Sequence, residues 1–213
     1  MIKAILWDFG GVLTTSPFEA FTRFEKAKGL PENFIRTINS TNPNENAWAK
    51  FERNEVTLEE FDKLFELESA AMGHAVPGTE IIKLLAGDIR PNMVNALKIC
   101  GTRFNCTCLT NNVAAGNGPG MTRDAAAQAE VEKVMALFRQ VIESSKIGLR
   151  KPDPRIYEYA CEQMAVAPEE VVYLDDLGIN LKPAAAMGMT TIKVVNEGQA
   201  LRDLAAASNL SFS

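Results

Sequence analysis

Apolar positions recur along this chain in two rhythms. Residues 3–7 form a short apolar run that stops at Asp8, Phe9, Gly10 and Gly11, the pattern of a buried strand entering a sharp turn. From there to residue 88 the spacing is helical. Phe18, Phe21, Phe24 and Ala27 share one face, and Trp48, Phe51, Phe61, Leu64, Phe65 and Leu67 continue the amphipathic character. Leu30 and Pro31 break the pattern, with Pro31 suited to the first turn of a following helix. Thr57, followed three residues later by Glu60, predicts a capping box. Residues 15–88 are therefore expected to be helical throughout.

Beyond residue 88 the two rhythms alternate. Residues 91–100 predict a helix ended by Gly101, and 104–109 a strand leading to Thr110, Asn111 and Asn112. After the glycine-rich stretch 113–120, residues 123–137 predict a helix and 140–143 a short strand. The turn Lys151-Pro152-Asp153-Pro154 opens a helix over 154–164. Residues 170–174 predict a strand ending in Asp175 and Asp176, 181–187 a helix ended by Gly188, and 190–195 a last strand. Strands alternating with helices imply the α/β class, a Rossmann-like, doubly wound parallel sheet. The helical insert interrupts it after the first strand. Residues 1–14 and 89–213 are expected to form a discontinuous core domain, and 15–88 a helical cap domain. Thr14, Thr15 and Ser16 start the outgoing hinge, and residues 87–91 the return.

Composition narrows the class of partner. With 213 residues, 46% of them hydrophobic, the chain has material for one α/β core and a small accessory unit. Charged residues at 23% and a mean hydropathy of −0.06 describe an ordinary soluble globular protein. A net charge of −5 without a Lys/Arg run argues against nucleic acid or an acidic membrane surface as partner. No apolar stretch reaches bilayer length, and residues 3–7 lack the longer apolar region of a signal peptide, so the expected location is cytoplasmic. Cys106 and Cys108 would point to one face of their strand. With Cys100, Cys161 and a lone His74 in another region, they form no metal-ligand set and read as buried free thiols. His74 itself carries no catalytic signal. Nothing in the sequence sets the oligomeric state.

In open parallel sheets, ligands bind beyond the carboxyl ends of the strands, where strand order reverses. Four polar groups fall at such ends: Asp8 after residues 3–7, Thr110 and Asn111 after 104–109, Lys151 after 140–143, and Asp175 with Asp176 after 170–174. Three carboxylates in one small site raise one another's pKa unless a cation neutralises them. Magnesium takes oxygen ligands of this kind.

The same residues resemble the four motifs of the haloacid dehalogenase superfamily, in its order. Asp8-Phe9-Gly10-Gly11-Val12-Leu13 is similar to the first, Leu109-Thr110-Asn111-Asn112 to the second, and Lys151-Pro152-Asp153-Pro154 to the third. Leu174-Asp175-Asp176-Leu177-Gly178-Ile179-Asn180 is similar to the fourth. Within the superfamily the likeness is to the phosphatase-like N-terminal domains of soluble epoxide hydrolases and their free-standing bacterial relatives. The resemblance implies a Mg2+-dependent hydrolase acting on a small phosphorylated metabolite, with Asp8 as covalent nucleophile. It implies metal ligation by Asp8, the Gly10 carbonyl and Asp176. Asp175 is either a ligand through water or a partner behind the ligands. Thr110 would offer its hydroxyl, and Asn111 a backbone or amide N–H, to phosphoryl oxygens; Gly10 and Gly11 would complete the substrate-binding turn. Lys151 would hold the phosphoryl group and keep Asp8 ionised. Lys146 competes for that role but lacks the following proline. Asn180 would order the loop after Asp176 or cap the next helix.

One position departs from the pattern. Phosphatases of this family usually carry a second aspartate two residues after the nucleophile, and here that residue is Gly10. Three readings follow: a phosphatase with acid supplied otherwise, a 2-haloacid dehalogenase-like hydrolase, or a weakly active binding protein. The acid pair Asp175-Asp176 favours the first over the second, since dehalogenation of this type requires no metal. In the insert, Trp48, Phe51 and Arg53 would either form a pocket wall with a cationic contact or simply pack and solvate; the helical spacing favours packing. Gly116, Gly118 and Gly120 suggest a mobile rim turn.

Overall fold

The computed structural model describes residues 1–113 and 125–212, so Gly116, Gly118 and Gly120 lie outside the described residues. The chain opens with β1 (Ala4–Trp7) and continues through α1 (Phe18–Lys28), α2 (Phe34–Ser40), α3 (Ala47–Glu52), α4 (Leu58–Ala71) and α5 (Gly78–Ile82). It then runs through α6 (Pro91–Gly101), β2 (Asn105–Thr110), α7 (Ala125–Met135), β3 (Gln140–Glu143), α8 (Ser144–Ile147) and α9 (Pro154–Met164). The last elements are β4 (Val171–Asp175), α10 (Gly178–Ala186), β5 (Thr190–Lys193) and α11 (Glu197–Ser208).

The strands form one parallel sheet in the order β3-β2-β1-β4-β5. The chain builds outward from β1 on one side, then crosses to the other, so the order reverses beside β1. Register sets Trp7 opposite both Cys108 and Leu174. Asp8 extends the ladder by donating its N–H to the Leu174 carbonyl at 2.9 Å. Strand alternation sorts the core into two faces. Ile5, Trp7, Cys106, Cys108, Val172 and Leu174 pack with Met93, Leu97, Val131, Val134 and Leu204 of α6, α7 and α11. Ala4, Leu6, Leu109, Val171 and Tyr173 pack with Ile156, Tyr157, Leu181 and Ala184 of α9 and α10. Both faces being covered, these strands read as continuous apolar runs. The four cysteines are free and buried, and burial pushes the Cys106 thiol up to about 11.

Helices α1–α5 enclose a third apolar cluster, with Phe21, Phe34, Ile35, Ile38, Phe51, Phe61, Phe65 and Ile81 at its centre. The Thr57–Glu60 capping box forms at the start of α4. Pro31 does not open α2, which begins at Phe34; instead the buried Glu25 carboxylate accepts the N–H groups of Asn33 (3.0 Å) and Ile35 (2.9 Å). His74 sits edge-on to Phe34, with ring centroids 5.3 Å apart. The two crossings between sheet and insert pair with each other. Thr14 bridges Ile89 in antiparallel fashion, Thr15 N–H donates to the Asp88 carbonyl (2.9 Å), and Arg90 N–H donates to the Leu13 carbonyl (2.8 Å).

Four elements differ most from expectation, the first being α8 (Ser144–Ile147), a short helix that was not anticipated. β4 runs to Asp175, which pairs with Lys193, because its ladder with β5 continues past the apolar run. α10 starts at Gly178 rather than residue 181 and contains Pro183, two residues that disguise a helix. α11 was not anticipated; its buried stripe is only Ala200, Leu204 and Ser208, although Asn196 caps it by accepting the Gln199 N–H. Among the described residues, no helix is long and apolar enough to cross a membrane.

The paired crossings make a prediction. A Cβ on Gly87 would lie 2.4 Å from the Thr15 carbonyl oxygen, whereas one on Gly101 would meet nothing within 4 Å. Gly87→Ala should cost about 1–3 kcal/mol, while Gly101→Ala, at a helix end, should be neutral or stabilising by up to about 1 kcal/mol. Urea unfolding of the two variants reads the difference; equal effects would count against a tightly paired linker.

Candidate active site

The turn after β1 is built around Asp8. Phe9 N–H donates to Asp8 Oδ1 at 2.7 Å, and the Phe9 carbonyl accepts the N–H groups of Val12, Leu13 and Thr14. The two glycines of this turn serve different purposes. Gly11 has φ +73°, and a Cβ there would lie 2.2 Å from Asp176 Oδ2, so both backbone and space require glycine. Gly10 has no left-handed φ and nothing within 4 Å of a Cβ. Its lack of a side chain is not imposed by the fold.

Lys151, only 1% exposed, bridges two acids: its Nζ lies 2.9 Å from Asp8 Oδ1 and 2.8 Å from Asp175 Oδ2. Asp175 is itself enclosed by donors. It accepts from the Tyr173 hydroxyl, from Asn180 Nδ2 at 3.1 Å, and from the Leu177 N–H at 2.7 Å. Asp176 accepts from Ser16 Oγ at 3.2 Å. Ligand oxygens of Asp8, Asp175 and Asp176 lie within 4.8 Å of one another. Three carboxylates around one ammonium leave two uncompensated negative charges when all are ionised.

The titration directions express that imbalance. Burial pushes the Asp8 carboxyl well above the usual carboxylate range; Lys151 opposes this, while Asp175 and Asp176 add to it. Burial, then the neighbouring Asp175, pushes Asp176 up to about 6. Burial alone would lower Lys151, but the Asp175 and Asp8 carboxylates outweigh it and hold the ammonium above its ordinary value. A divalent cation fits this donor set, because it supplies the missing charge and takes oxygen ligands. The oxygens positioned for it are those of Asp8 and Asp176. Those of Asp175 are already committed to Lys151, Tyr173, Asn180 and Leu177, so this residue stands behind the ligands.

Asp8 and Asp176 lie at the floor of a cavity of about 580 Å³. Asp8, Gly10, Thr110, Asn111, Lys151 and Asp176 line its base, while Phe18, Phe21, Trp48 and Leu85 line the side formed by the insert. Arg36 and Arg150 also line it. Most expected site residues thus converge. Gly11 does not line the cavity; it faces Asp176 from behind, and its carbonyl accepts Arg90 Nη1 at 3.1 Å. The Asn111 carboxamide is occupied: Oδ1 accepts the Lys151 N–H (2.9 Å), and Nδ2 donates to the Lys151 carbonyl (3.0 Å) and Glu52 Oε2 (3.2 Å). Of the two donors considered for Asn111, the backbone N–H is therefore the one that suits a ligand. Asn180 neither caps α10 nor lies in a loop; it sits within the helix and holds Asp175. Lys146 pairs with Glu143 at the surface, away from Asp8.

In the insert, packing accounts for Phe51, which stacks on Phe61 with centroids 4.5 Å apart, and Arg53 pairs with Glu55. Trp48 does line the cavity, and the arginines that line it with Trp48 are Arg36 and Arg150 rather than Arg53. Sequence reasoning missed Ser16, Tyr173, Glu52 and Arg150. Tyr173 stands two residues before Asp175 and so shares its strand face. Glu52 follows Trp48 and Phe51 at helical spacing, a charge within a buried stripe. Ser16 and Arg150 carry no local signal.

A carboxylate cluster with a buried lysine stands at the switch point of a doubly wound, Rossmann-like parallel sheet, where such folds place their active sites. Residues 2–188 match the family model for haloacid dehalogenase-like hydrolases, and the chain belongs to that family. It is 31% identical to mouse bifunctional epoxide hydrolase 2 over 223 residues, covering 99% of this chain and 40% of that protein's length. It is 26% identical to the sesquiterpene phosphatase astK of Aspergillus oryzae, covering 91% of this chain and 90% of the relative. A haloacid dehalogenase family enzyme from Bacteroides thetaiotaomicron, solved with magnesium and inorganic phosphate, shares the fold at a TM-score of 0.60 and 21% identity. That likeness covers 91% of this chain and 94% of the other.

The charge imbalance makes a prediction with a defined sign. Asp176 rises from 3.8 to about 6 on folding, so across that window the folded chain holds a proton the unfolded chain has lost. The stability this group contributes is present below 3.8 and is lost as pH rises through about 6. Asp8 shifts in the same direction and adds to the effect. Divalent cations bind the deprotonated form, so the Tm increase on adding Mg2+ to EDTA-treated protein should grow from about pH 4.5 to about pH 7.5. A pH-independent increase would argue against an ion at these acids.

Proposed function

We propose that this protein is a magnesium-dependent phosphatase acting on a small phosphorylated metabolite, with Asp8 as the nucleophile. The observation that carries the reading is the buried Lys151 ammonium held between Asp8 and Asp175, with Asp176 alongside, at the base of a closed-in cavity. Asp8 Oδ1 already accepts from Phe9 N–H and Lys151 Nζ. Oδ2 is then the oxygen assigned to attack phosphorus, forming an O–P bond as the ester oxygen departs; water hydrolyses the resulting aspartyl-phosphate. Asp8, the Gly10 carbonyl and Asp176 would hold Mg2+, which supplies positive charge for the phosphoryl oxygens. The Thr110 hydroxyl, the Asn111 N–H and Lys151 would hold those oxygens.

Residues 1–14 and 89–213 act in this reading as the core domain, and 15–88 as a cap that excludes water and contacts the leaving group. The apolar side formed by Phe18, Phe21, Trp48 and Leu85 suits an ester with a hydrocarbon body. The Aspergillus relative, a sesquiterpene phosphatase, is consistent with that class. Four buried free thiols suit a reducing, cytoplasmic compartment. The test is release of phosphate from p-nitrophenyl phosphate with and without Mg2+. The wild-type chain should be active only with the ion, and Asp8→Asn should lose about 10³-fold or more. Comparable activity in EDTA, or in Asp8→Asn, would refute the reading.

Gly10 favours a second reading, a 2-haloacid dehalogenase-like reaction, because halide leaves without a proton. Halide release from 2-haloacids without phosphatase activity would select it, and inactivity in both assays would select a binding role. Gly10 also yields a prediction within the first reading. The space around it admits a side chain, so Gly10→Asp should restore an acid to the leaving group. Turnover of alkyl phosphates should rise about 10²-fold, and that of p-nitrophenyl phosphate far less. Parallel changes in both substrates would show that a missing acid is not the limitation.

A further inference from the structure

Glu52 is a buried carboxylate, 6% exposed, that belongs to the insert but faces the sheet domain. Its Oε1 accepts Trp48 Nε1 at 2.9 Å. Its Oε2 accepts two donors from across the cavity: Arg150 Nε at 2.6 Å and Asn111 Nδ2 at 3.2 Å. Arg150 in turn donates Nη1 to the Pro43 carbonyl of the insert at 2.9 Å. These contacts are the polar connection between α3 and the residues that immediately adjoin Thr110 and Lys151 in the chain.

Asn111 is the point where the connection becomes directional. Its carboxamide grips the Lys151 backbone at two points, accepting the residue's N–H and donating to its carbonyl. An amide rotated by half a turn would present its NH2 to an N–H and its oxygen to a carbonyl, and the grip would be lost. A carboxylate only accepts, so Glu52 Oε2 reinforces the orientation in which Nδ2 donates both to it and to the Lys151 carbonyl while Oδ1 faces the Lys151 N–H. We infer that Glu52 is a positioning residue: seating of the insert over the cavity fixes the Asn111 carboxamide, which holds the Lys151 backbone and so aims its ammonium at Asp8. The role rests on the phosphatase reading for its kinetic consequence but not for its structural one. The chain of contacts is Glu52, Asn111, the Lys151 peptide, then Lys151 Nζ on Asp8 at 2.9 Å. With the insert displaced, Asn111 and Arg150 both lose their shared acceptor, and the base is no longer held in register.

The test uses Glu52→Gln, which keeps shape but presents an amide, and Glu52→Gln/Arg150→Met, which also removes the guanidinium left without a carboxylate. Hydrogen exchange of the segment containing Lys151 should accelerate at least about tenfold in both variants, while β1 and β4 amides remain protected as in wild type. With p-nitrophenyl phosphate and Mg2+, kcat should fall about 10- to 100-fold with KM within about twofold. Unchanged exchange at Lys151 overturns the inference whatever the activity. Restoration of wild-type kcat in the double variant also overturns it, because the loss would then come from an unpaired guanidinium. Wild-type inactivity toward phosphate esters, with faster exchange at Lys151 in the variants, would refute the phosphatase reading while leaving the positioning role supported.

Discussion

The site depends on one buried cation. Lys151 lies where two strand ends deliver carboxylates, and its charge is what opposes the upward push that burial gives the Asp8 carboxyl. Burying an ammonium is itself unfavourable, and two acids on opposite sides are what make it tolerable. Removing one partner of such a buried set leaves the others uncompensated, a loss typically of about 3–5 kcal/mol. The surrounding structure is arranged around that condition. β1 fixes Asp8 through its ladder to Leu174, and β4 carries Asp175 one register position beyond the apolar run. Tyr173, Asn180 and the Leu177 N–H keep Asp175 an acceptor with no oxygen to spare.

This division of labour separates the two adjacent acids, which are indistinguishable by composition. Asp175 is wholly buried and serves Lys151. Asp176 turns the other way, toward the cavity and Ser16, and can do so only because Gly11 leaves room for its carboxylate. One aspartate thus stabilises the lysine and the other is available to an ion. The glycine pair divides in the same manner: Gly11 is required by sterics, and Gly10 is not.

Much of this was legible from strand ends. Asp8, Thr110, Lys151 and Asp176 each follow an apolar run, and a parallel sheet brings such ends to one edge regardless of their separation in sequence. The helical insert was legible from its spacing. What remained hidden depends on long-range contact or on weak local signals. α11 buries a stripe of small residues that periodicity barely marks. Ser16 reaches Asp176 across 160 positions of chain, which no local pattern can reveal. A cation on the cavity wall was the disfavoured of two alternatives for Arg53; that residue is held by Glu55, whereas Arg36 and Arg150, which no local pattern marks, do line the cavity. Glu52 was in principle detectable as a charge at a core-facing position, yet its partners lie on the other side of the cavity.

The commitments of the acids also bear on which esters the site suits. Among the described residues that line the cavity, the carboxyl groups are those of Asp8, Asp176 and Glu52. Asp8 is the nucleophile in the phosphatase reading, and Asp176 is pledged to the ion. Glu52 already accepts three hydrogen bonds, from Trp48, Arg150 and Asn111, so both its oxygens are engaged as acceptors. Lys151, held between two carboxylates above its ordinary pKa, is a poor donor to an alkoxide. In the phosphatase reading, none of these three lining carboxyls would then protonate the leaving group, which would depart as an anion or take its proton from water. Esters of acidic alcohols, such as phenols and enols, meet that condition, and the apolar wall formed by Phe18, Phe21 and Trp48 can accommodate their unsaturated bodies. The same wall limits the water that could otherwise supply the proton, so the more completely the insert excludes solvent, the more strongly leaving-group acidity governs turnover.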